Sequence, residues 1–462
     1  MQQEPIITTE KLNDDAETAS SVVIRQQPAP VTTTQRIKTI DMIRGFALLG
    51  ILLMNIPGFG IDNSIYFDIM NGPHNTKDYL TVAVIFIFFD GTMRGLFSML
   101  FGAGMILFTQ NKKESPGGIP VAEYYYRRLL WLVFFGIVNA YIFLWWGDIL
   151  FFYGLCGMVL YIFRKTSAKW LFILGFICIG IGILKTQWWF GETKEKRKAY
   201  VEAVAAEKSK KKLTEEQQAA KTEWEEIEKR REKDTAQVNK NIREIRSGYG
   251  GVFDHYLPIN SDDEVWGTYH GIWDMLSMMF MGMALFGLGF FSGKLSSSTY
   301  IITLLVGYGV GIPFGWLYFK GLEDFFVNFS SYMDAWRAPH FHLYDFRRLF
   351  LSVGHASLLM LIFRSRIVPW LMKALANTGQ MAFTNYLMQS LICTFIFHGY
   401  GLGLYHKLQM HQLYYIVFGV WIFQMIFSTI WMRYFNFGPF EWLWRSLTYW
   451  KKQPMKIRVE TS

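Results

Sequence analysis

Apolar residues in this chain fall in runs of roughly eighteen to twenty-five, separated by short charged loops. About twenty residues of helix, at 1.5 Å each, cross a hydrocarbon core of about 30 Å. The pattern predicts an all-α polytopic membrane protein with about ten transmembrane helices. Their expected positions are Thr39–Phe59, Leu80–Phe108, Tyr126–Leu144, Ile149–Phe163, Trp170–Phe190, Gly271–Phe291, Tyr300–Phe319, Phe346–Phe363, Gly379–Phe397 and Leu413–Phe435. The second run would make a helix of about 43 Å, too long for one straight crossing. A break is expected at Asp90-Gly91, with Asp90 and Arg94 paired at i,i+4. Ser98, Gly102 and Gly104 in its second half are small enough for another helix to approach closely.

Charge orients the spans. Lys112, Lys113, Arg127 and Arg128, then Arg164, Lys165 and Lys169, the loop Ser292–Thr299, and Arg364 with Arg366 mark cytoplasmic loops. Both termini are then cytoplasmic. Arg347-Arg348 departs from the bias, serving either a polar cavity or a salt bridge to Asp345. Residues 1–35 are polar, without an apolar signal core, and predict a disordered cytoplasmic tail. Spans one to five occupy 36–190 and spans six to ten 271–436, and 437–462 hold an interfacial helix and a tail. Between the halves, 191–270 is an extracytoplasmic insertion. Its part 191–248 is dense in Lys, Glu, Arg and Ala, reading as a solvated helical face or a docking arm.

With 462 residues, 52% of them hydrophobic, the net charge of +9 is accounted for by cationic loops, without a nucleic-acid partner. Cys156, Cys178 and Cys393 lie in apolar runs with no metal or disulfide spacing. There is no Walker A loop, G-x-G-x-x-G, G-x-S-x-G or H-E-x-x-H, and no repeat of halves. His340 and His342 alone make no metal site.

Candidate chemistry sits at polar residues within or beside the spans. Asp41 and Arg44 share a face at i,i+3 at one end of span one, and Asn55 lies near the other. Eight of the nine histidines, His74 and His398 among them, fall in outer loops or at outer helix ends on this topology, where imidazole can act as a general base. Asn385 and Gln389 share a face of span nine, as helix glue or as a cavity lining, together with Asp90, Arg94, Arg347 and His398 as cavity candidates. Glu441 and Arg445 stand at i,i+4 in the terminal helix and read as structural.

Three pieces carry a family resemblance: DMIRGFALLGILLMNI at 41–56, LFSMLFGAGM at 96–105, and the paired motifs GQMAFTNYLMQSLICTFIFHGYGLG at 379–403 and GPFEWLWRSLTY at 438–449. Together they resemble the YeiB-like family of bacterial inner-membrane proteins, a family named for unknown function. The charged segment 191–248 lies outside the resemblance. The family is similar to the broader transmembrane acyltransferase superfamily, which includes the lysosomal heparan glucosaminide acetyltransferase, mainly through the D-x-x-R-G opening of span one. The resemblance implies transfer of an acyl group from cytoplasmic acyl-CoA, a co-substrate rather than a bound cofactor, to an extracytoplasmic glycan or lipid-linked acceptor. It implies His74 as catalytic base, with Asn55 where other branches have His. Asp41 and Arg44, with the basic loops, are the candidates to hold the donor. Two other expectations remain: a transporter of a small anionic or lipid-like solute, and a non-catalytic docking role for the charged arm, whose deletion over 192–247 would spare the fold.

Overall fold

The computed structural model describes residues 37–110, 120–231, 233–336 and 340–457. The expected tail at 1–35 and the marker lysines Lys112 and Lys113 lie outside the described residues. The described chain is helical, with one isolated antiparallel bridge, Phe435 to Lys456. The first half comprises α1 Lys38–Gly60, α2 Ile65–Asn71, α3 Lys77–Phe88, α4 Thr92–Gln110, α5 Val121–Tyr141, α6 Leu150–Leu160 and α7 Ala168–Lys208. Next come α8 Glu215–Arg231, α9 Thr235–Ile245, α10 Tyr249–Asp262, a π-helical turn Asp263–Gly267 and α11 Thr268–Gly287. The remainder is α12 Ser297–Val327, α13 Phe329–Ala335, α14 Phe341–Ser365, α15 Pro369–Gln380, α16 Ala382–Phe397, α17 Met410–Trp431 and α18 Pro439–Tyr449. Among the described residues, six helical stretches are long and apolar enough to cross a membrane, and Leu150–Phe163 and Ala382–Phe397 are shorter apolar helices. The protein is a multi-pass membrane protein.

The centre is α1, apolar on all sides and mostly buried, packed by α4, α15, α16 and α17. The glycine of D-x-x-R-G makes this packing possible. A Cβ on Gly45 would lie 2.0 Å from the Leu375 carbonyl oxygen, and one on Gly379 only 1.8 Å from that of Asp41. Backbones of α1 and α15 therefore touch where a side chain could not fit. The same device joins α4 to α11, where a Cβ on Gly102 would meet the Met279 carbonyl at 2.2 Å. Gly104 was expected to serve such a contact, but an added Cβ there meets nothing within 4 Å.

Two spans are broken. The second parts at Phe89–Gly91, where the sequence predicts it, and Gly91 takes φ +65°, a conformation open to glycine. The expected Asp90–Arg94 pair does not form: Asp90 pairs with Arg347 at 3.2 Å and Arg94 with Asp274 at 2.9 Å. Once the helix is interrupted, the two side chains turn toward different helices. The ninth span, expected over Gly379–Phe397, is interrupted only at its start, at Met381, and the sequence reading missed the helix before it. A separate helix, α15, precedes α16, and Gly379-Gln380 belong to α15 rather than opening a span.

The boundary drawn at 190 is not an element boundary, because α7 runs unbroken for 41 residues, about 60 Å. Nor is the charged segment a free arm. Trp224 of α8 is fully buried among Phe190, Phe329, Tyr332 and Met333. Ile245 joins a core cluster, and its carbonyl accepts from the Gly399 N–H at 2.9 Å. Deleting 192–247 would expose these surfaces, so it is not a neutral excision.

Candidate functional site

Two cavities lie against α1, one toward each of its ends. The first, of about 400 Å³, sits by the C-terminal half of α1 and is lined by Asn55, Asp90, Arg94, Asp148, Asp263, Asp274 and Tyr344, with Trp145 and Trp146. It opens beside the break in span two, at Asp90 and Gly91. Interruption of a helix leaves carbonyls without intrahelical donors, and these need partners inside a membrane protein. Helix α14 supplies them. Arg347, fully buried, donates to the carbonyls of Phe86 at 2.5 Å and Asp90 at 2.6 Å as well as to the Asp90 carboxylate. His355 Nε2 lies 3.2 Å from the Phe88 carbonyl and its Nδ1 2.7 Å from the Tyr308 hydroxyl. Arg348 bonds Asp274 and pairs with Asp345 at 2.8 Å. Both readings of the arginine doublet thus describe part of it, Arg347 closing the break beside the cavity and Arg348 bridging to Asp345.

These ion pairs balance: Arg94, Arg347 and Arg348 face Asp90, Asp274 and Asp345. Asp148 stands outside that set. It lies in the connection between α5 and α6 and accepts from Asn139 at 2.8 Å, from the Phe151 N–H at 3.0 Å and from the Tyr386 hydroxyl at 3.4 Å. Burial pushes its carboxyl up to about 7, the backbone and side-chain hydrogen bonds only partly opposing that. A carboxyl balanced near neutrality can take up or release a proton. Burial also raises Asp263, at the cavity's π-helical rim.

The second cavity, of about 250 Å³, lies by the N-terminal half of α1. Asp41, Arg44, Arg128, Glu441 and Arg445 are at its polar end, and Phe97, Phe101, Leu132 and Phe383 are among its apolar walls. It sits beside the second break. Glu441 reaches from α18 to the start of α16, accepting from the N–H groups of Phe383 at 2.7 Å and Thr384 at 3.0 Å and from the Thr384 hydroxyl at 2.5 Å. A carboxylate there satisfies orphan donors and complements the helix dipole. Ile149 lines both cavities, so they meet back to back. The Tyr386 ring faces the second cavity and its hydroxyl bonds Asp148 of the first.

The other expected residues lie apart. His74 lines neither cavity; it is half-exposed, stacked on Tyr79 and 2.9 Å from Glu323. Asn385 and Gln389 are buried helix glue: Asn385 donates to Ser428 at 2.9 Å and Gln389 to Gln424 at 3.0 Å. His398 packs against Tyr256 and Tyr400, where burial pushes its imidazole down to about 3. Arg44 pairs with Asp41 at 2.8 Å, as expected, and the Arg445 guanidinium lies over the Phe437 ring.

Sequence reasoning missed Asp148, Asp274, Tyr344, Tyr386 and Arg128. Asp274 had a visible signal, a carboxylate inside the apolar run of span six. Asp148 falls in the short gap between the expected spans Tyr126–Leu144 and Ile149–Phe163, and Arg128 among the basic residues that mark a cytoplasmic loop.

Comparisons with known proteins agree with this architecture without assigning chemistry. The profile of a family described as "Protein of unknown function (DUF418)" matches residues 285–451. The uncharacterized protein YeiB of Escherichia coli (strain K12) is 30% identical over 90% of this chain and 96% of its own length. The uncharacterized protein YxaH of Bacillus subtilis (strain 168) is 28% identical over 93% of this chain and 98% of its own. An uncharacterized 39.9 kDa protein from the amylase 3' region of Bacillus acidopullulyticus is 24% identical over 93% and 99%. No solved structure matches.

Proposed function

The chain belongs to the YeiB family of multi-pass membrane proteins, and from that premise we propose that it is a bacterial inner-membrane acyltransferase working across the partition between its two cavities. The proposed topology has ten spans, α3 and α4 counting as one. Both termini and the basic end of α1 are cytoplasmic, and the charged insertion is outside. One observation carries the reading: the cavities abut at Ile149, with the Tyr386–Asp148 hydrogen bond beside the partition.

In this mechanism the donor, acyl-CoA by the family resemblance, approaches from the basic end, where Arg44 and its neighbours complement its phosphates. The acceptor, a glycan or lipid-linked hydroxyl or amine, occupies the cavity of Asp90, Arg94 and Asp148. Its oxygen or nitrogen attacks the thioester carbonyl. The new C–O or C–N bond forms, the C–S bond breaks, and the acceptor proton passes to the Asp148 carboxylate, which returns it to the leaving thiolate. Asp148 is a better placed base than His74, since it lies at the partition and His74 lines neither cavity.

The test is transfer of a labelled acyl group in proteoliposomes. Asp148→Asn should lower the rate by about 10²-fold or more while His74→Ala changes it little. Full activity of Asp148→Asn in folded protein would remove the mechanism, and loss in His74→Ala alone would return the base to the loop. Solute counterflow without any acyl donor would support the transporter reading instead.

A further inference from the structure

At the polar end of the second cavity one guanidinium, Arg128, is without a carboxylate partner among the described residues. Asp41 is engaged by Arg44, and Glu441 is turned to the amides that open α16. The Arg128 guanidinium instead lies over the rings of Trp444, at 4.3 Å, and Phe108, at 5.4 Å, within repulsive range of Arg44. A guanidinium kept in an apolar setting beside a second one is a site for an anion, and its planar fork suits phosphate.

Behind that end the cavity is walled by hydrocarbon. Along α4 it extends from Phe108 to Phe97, about 16 Å of helix. Four of the hydroxyls that reach its walls are already engaged: Tyr125 with the Gly157 carbonyl, Tyr153 with Ser98, Tyr386 with Asp148, and Thr448 with the Trp444 carbonyl. A buried amide-bearing arm would find few partners here, whereas a methylene chain needs none. Gly104 adds open space midway along the wall.

We infer that this cavity binds a phosphate-bearing amphiphile, with the phosphate on Arg128 and Arg44 and the hydrocarbon chain running past Gly104 toward Ile149. The shared chemistry has two sources, a long-chain acyl-CoA or a bilayer lipid phosphate. The inference deepens the reading above in naming what the donor end accepts, and it rests on that reading only for the role of the ligand, not for its binding.

Binding is measured by thermal shift and by titration on the full chain in neutral detergent. The probes are dodecyl phosphate, palmitoyl-CoA, acetyl-CoA and inorganic phosphate. Dodecyl phosphate should bind at least tenfold tighter than inorganic phosphate, and palmitoyl-CoA at least tenfold tighter than acetyl-CoA. Gly104→Phe, at a wall position where an added Cβ meets nothing within 4 Å, puts a ring in the chain's path and should erase both preferences. Arg128→Gln should weaken both chain-bearing probes at least tenfold. Palmitoyl-CoA bound far more tightly than dodecyl phosphate selects the thioester as source, and the reverse selects a lipid. Equal binding of acetyl-CoA and palmitoyl-CoA, or wild-type affinities in folded Gly104→Phe, overturns the inference. Chain-dependent binding without acyl transfer leaves the site standing and removes only the transferase reading. Transfer that persists in Gly104→Phe and Arg128→Gln does the opposite.

Discussion

The two broken spans solve the same problem with opposite charges. At the α3–α4 break the exposed groups are carbonyls, and cationic or donor side chains of α14, Arg347 and His355, turn to them. At the α15–α16 break the exposed groups are N–H donors, and an anion, Glu441 of α18, closes them. In each case a distant helix supplies what the interrupted helix lost, and a cavity forms alongside. Membrane-embedded backbone departs from helix only where protein satisfies it. A break is therefore a place where the protein has already arranged charge among its buried helices, and both cavities inherit that arrangement.

The comparison can be broken most forcefully at its cationic side. Arg347→Ala strips partners from two buried carbonyls and from Asp90, so it should cost about 3–5 kcal/mol in denaturant unfolding of the detergent-solubilised protein. Arg347→Lys, which keeps the charge but not the fork, should recover only part of that.

A second effect is expected at Asp148 of the first cavity. Asp148 sits at about 7 when folded against 3.8 ordinarily, so between these values the folded state holds a proton that the unfolded chain releases. Its contribution to stability is present below about pH 4 and is lost as the pH rises to about 7, by at most about 1.4 kcal/mol per unit. The pH dependence of unfolding, followed from pH 4 to 8, should be steeper in the wild type than in Asp148→Asn by this slope. Transfer activity should move the other way, rising through about pH 7 as the carboxylate forms.

Glu441→Gln tests the anionic side. The amide oxygen can still accept, but the charge facing the start of α16 is gone, so a cost of about 1 kcal/mol is expected in the same unfolding assay. A cost as large as that of Arg347→Ala would mean that the two breaks are not held by comparable means. The smallest effect is expected at His74, a half-exposed partner of Glu323. His74→Ala should change stability by about 0–1 kcal/mol, and a larger loss would give that outlying pair a structural weight the geometry does not suggest.

Much of the frame was legible in order along the chain. Apolar run lengths located the membrane helices, Asp90-Gly91 marked the first break, and the Asp41–Arg44 spacing forecast an ion pair that forms. The second break was hidden because Met381 interrupts the helix without a glycine or proline at that residue. The site was less legible still. Asp90 and Arg94 were found as individuals, but their partners, Arg347 and Asp274, are 257 and 180 residues away.

Sequence by itself determined that this is a helical, multi-pass protein with charges placed where a membrane makes them expensive, because hydropathy and charge are local properties that a bilayer reads directly. Tertiary structure alone decided which charges meet. The Glu441 carboxylate closes the α16 amides rather than serving only as a helix-surface residue, Asn385 and Gln389 act as glue, and Asp148 and Tyr386 come together beside a partition no single run of residues describes. Hydrogen bonding and ion pairing act over a few ångströms, and in a bundle those few ångströms are set by which helices pack against which, a choice made by contacts such as Gly45 on α15 rather than by spacing along the chain.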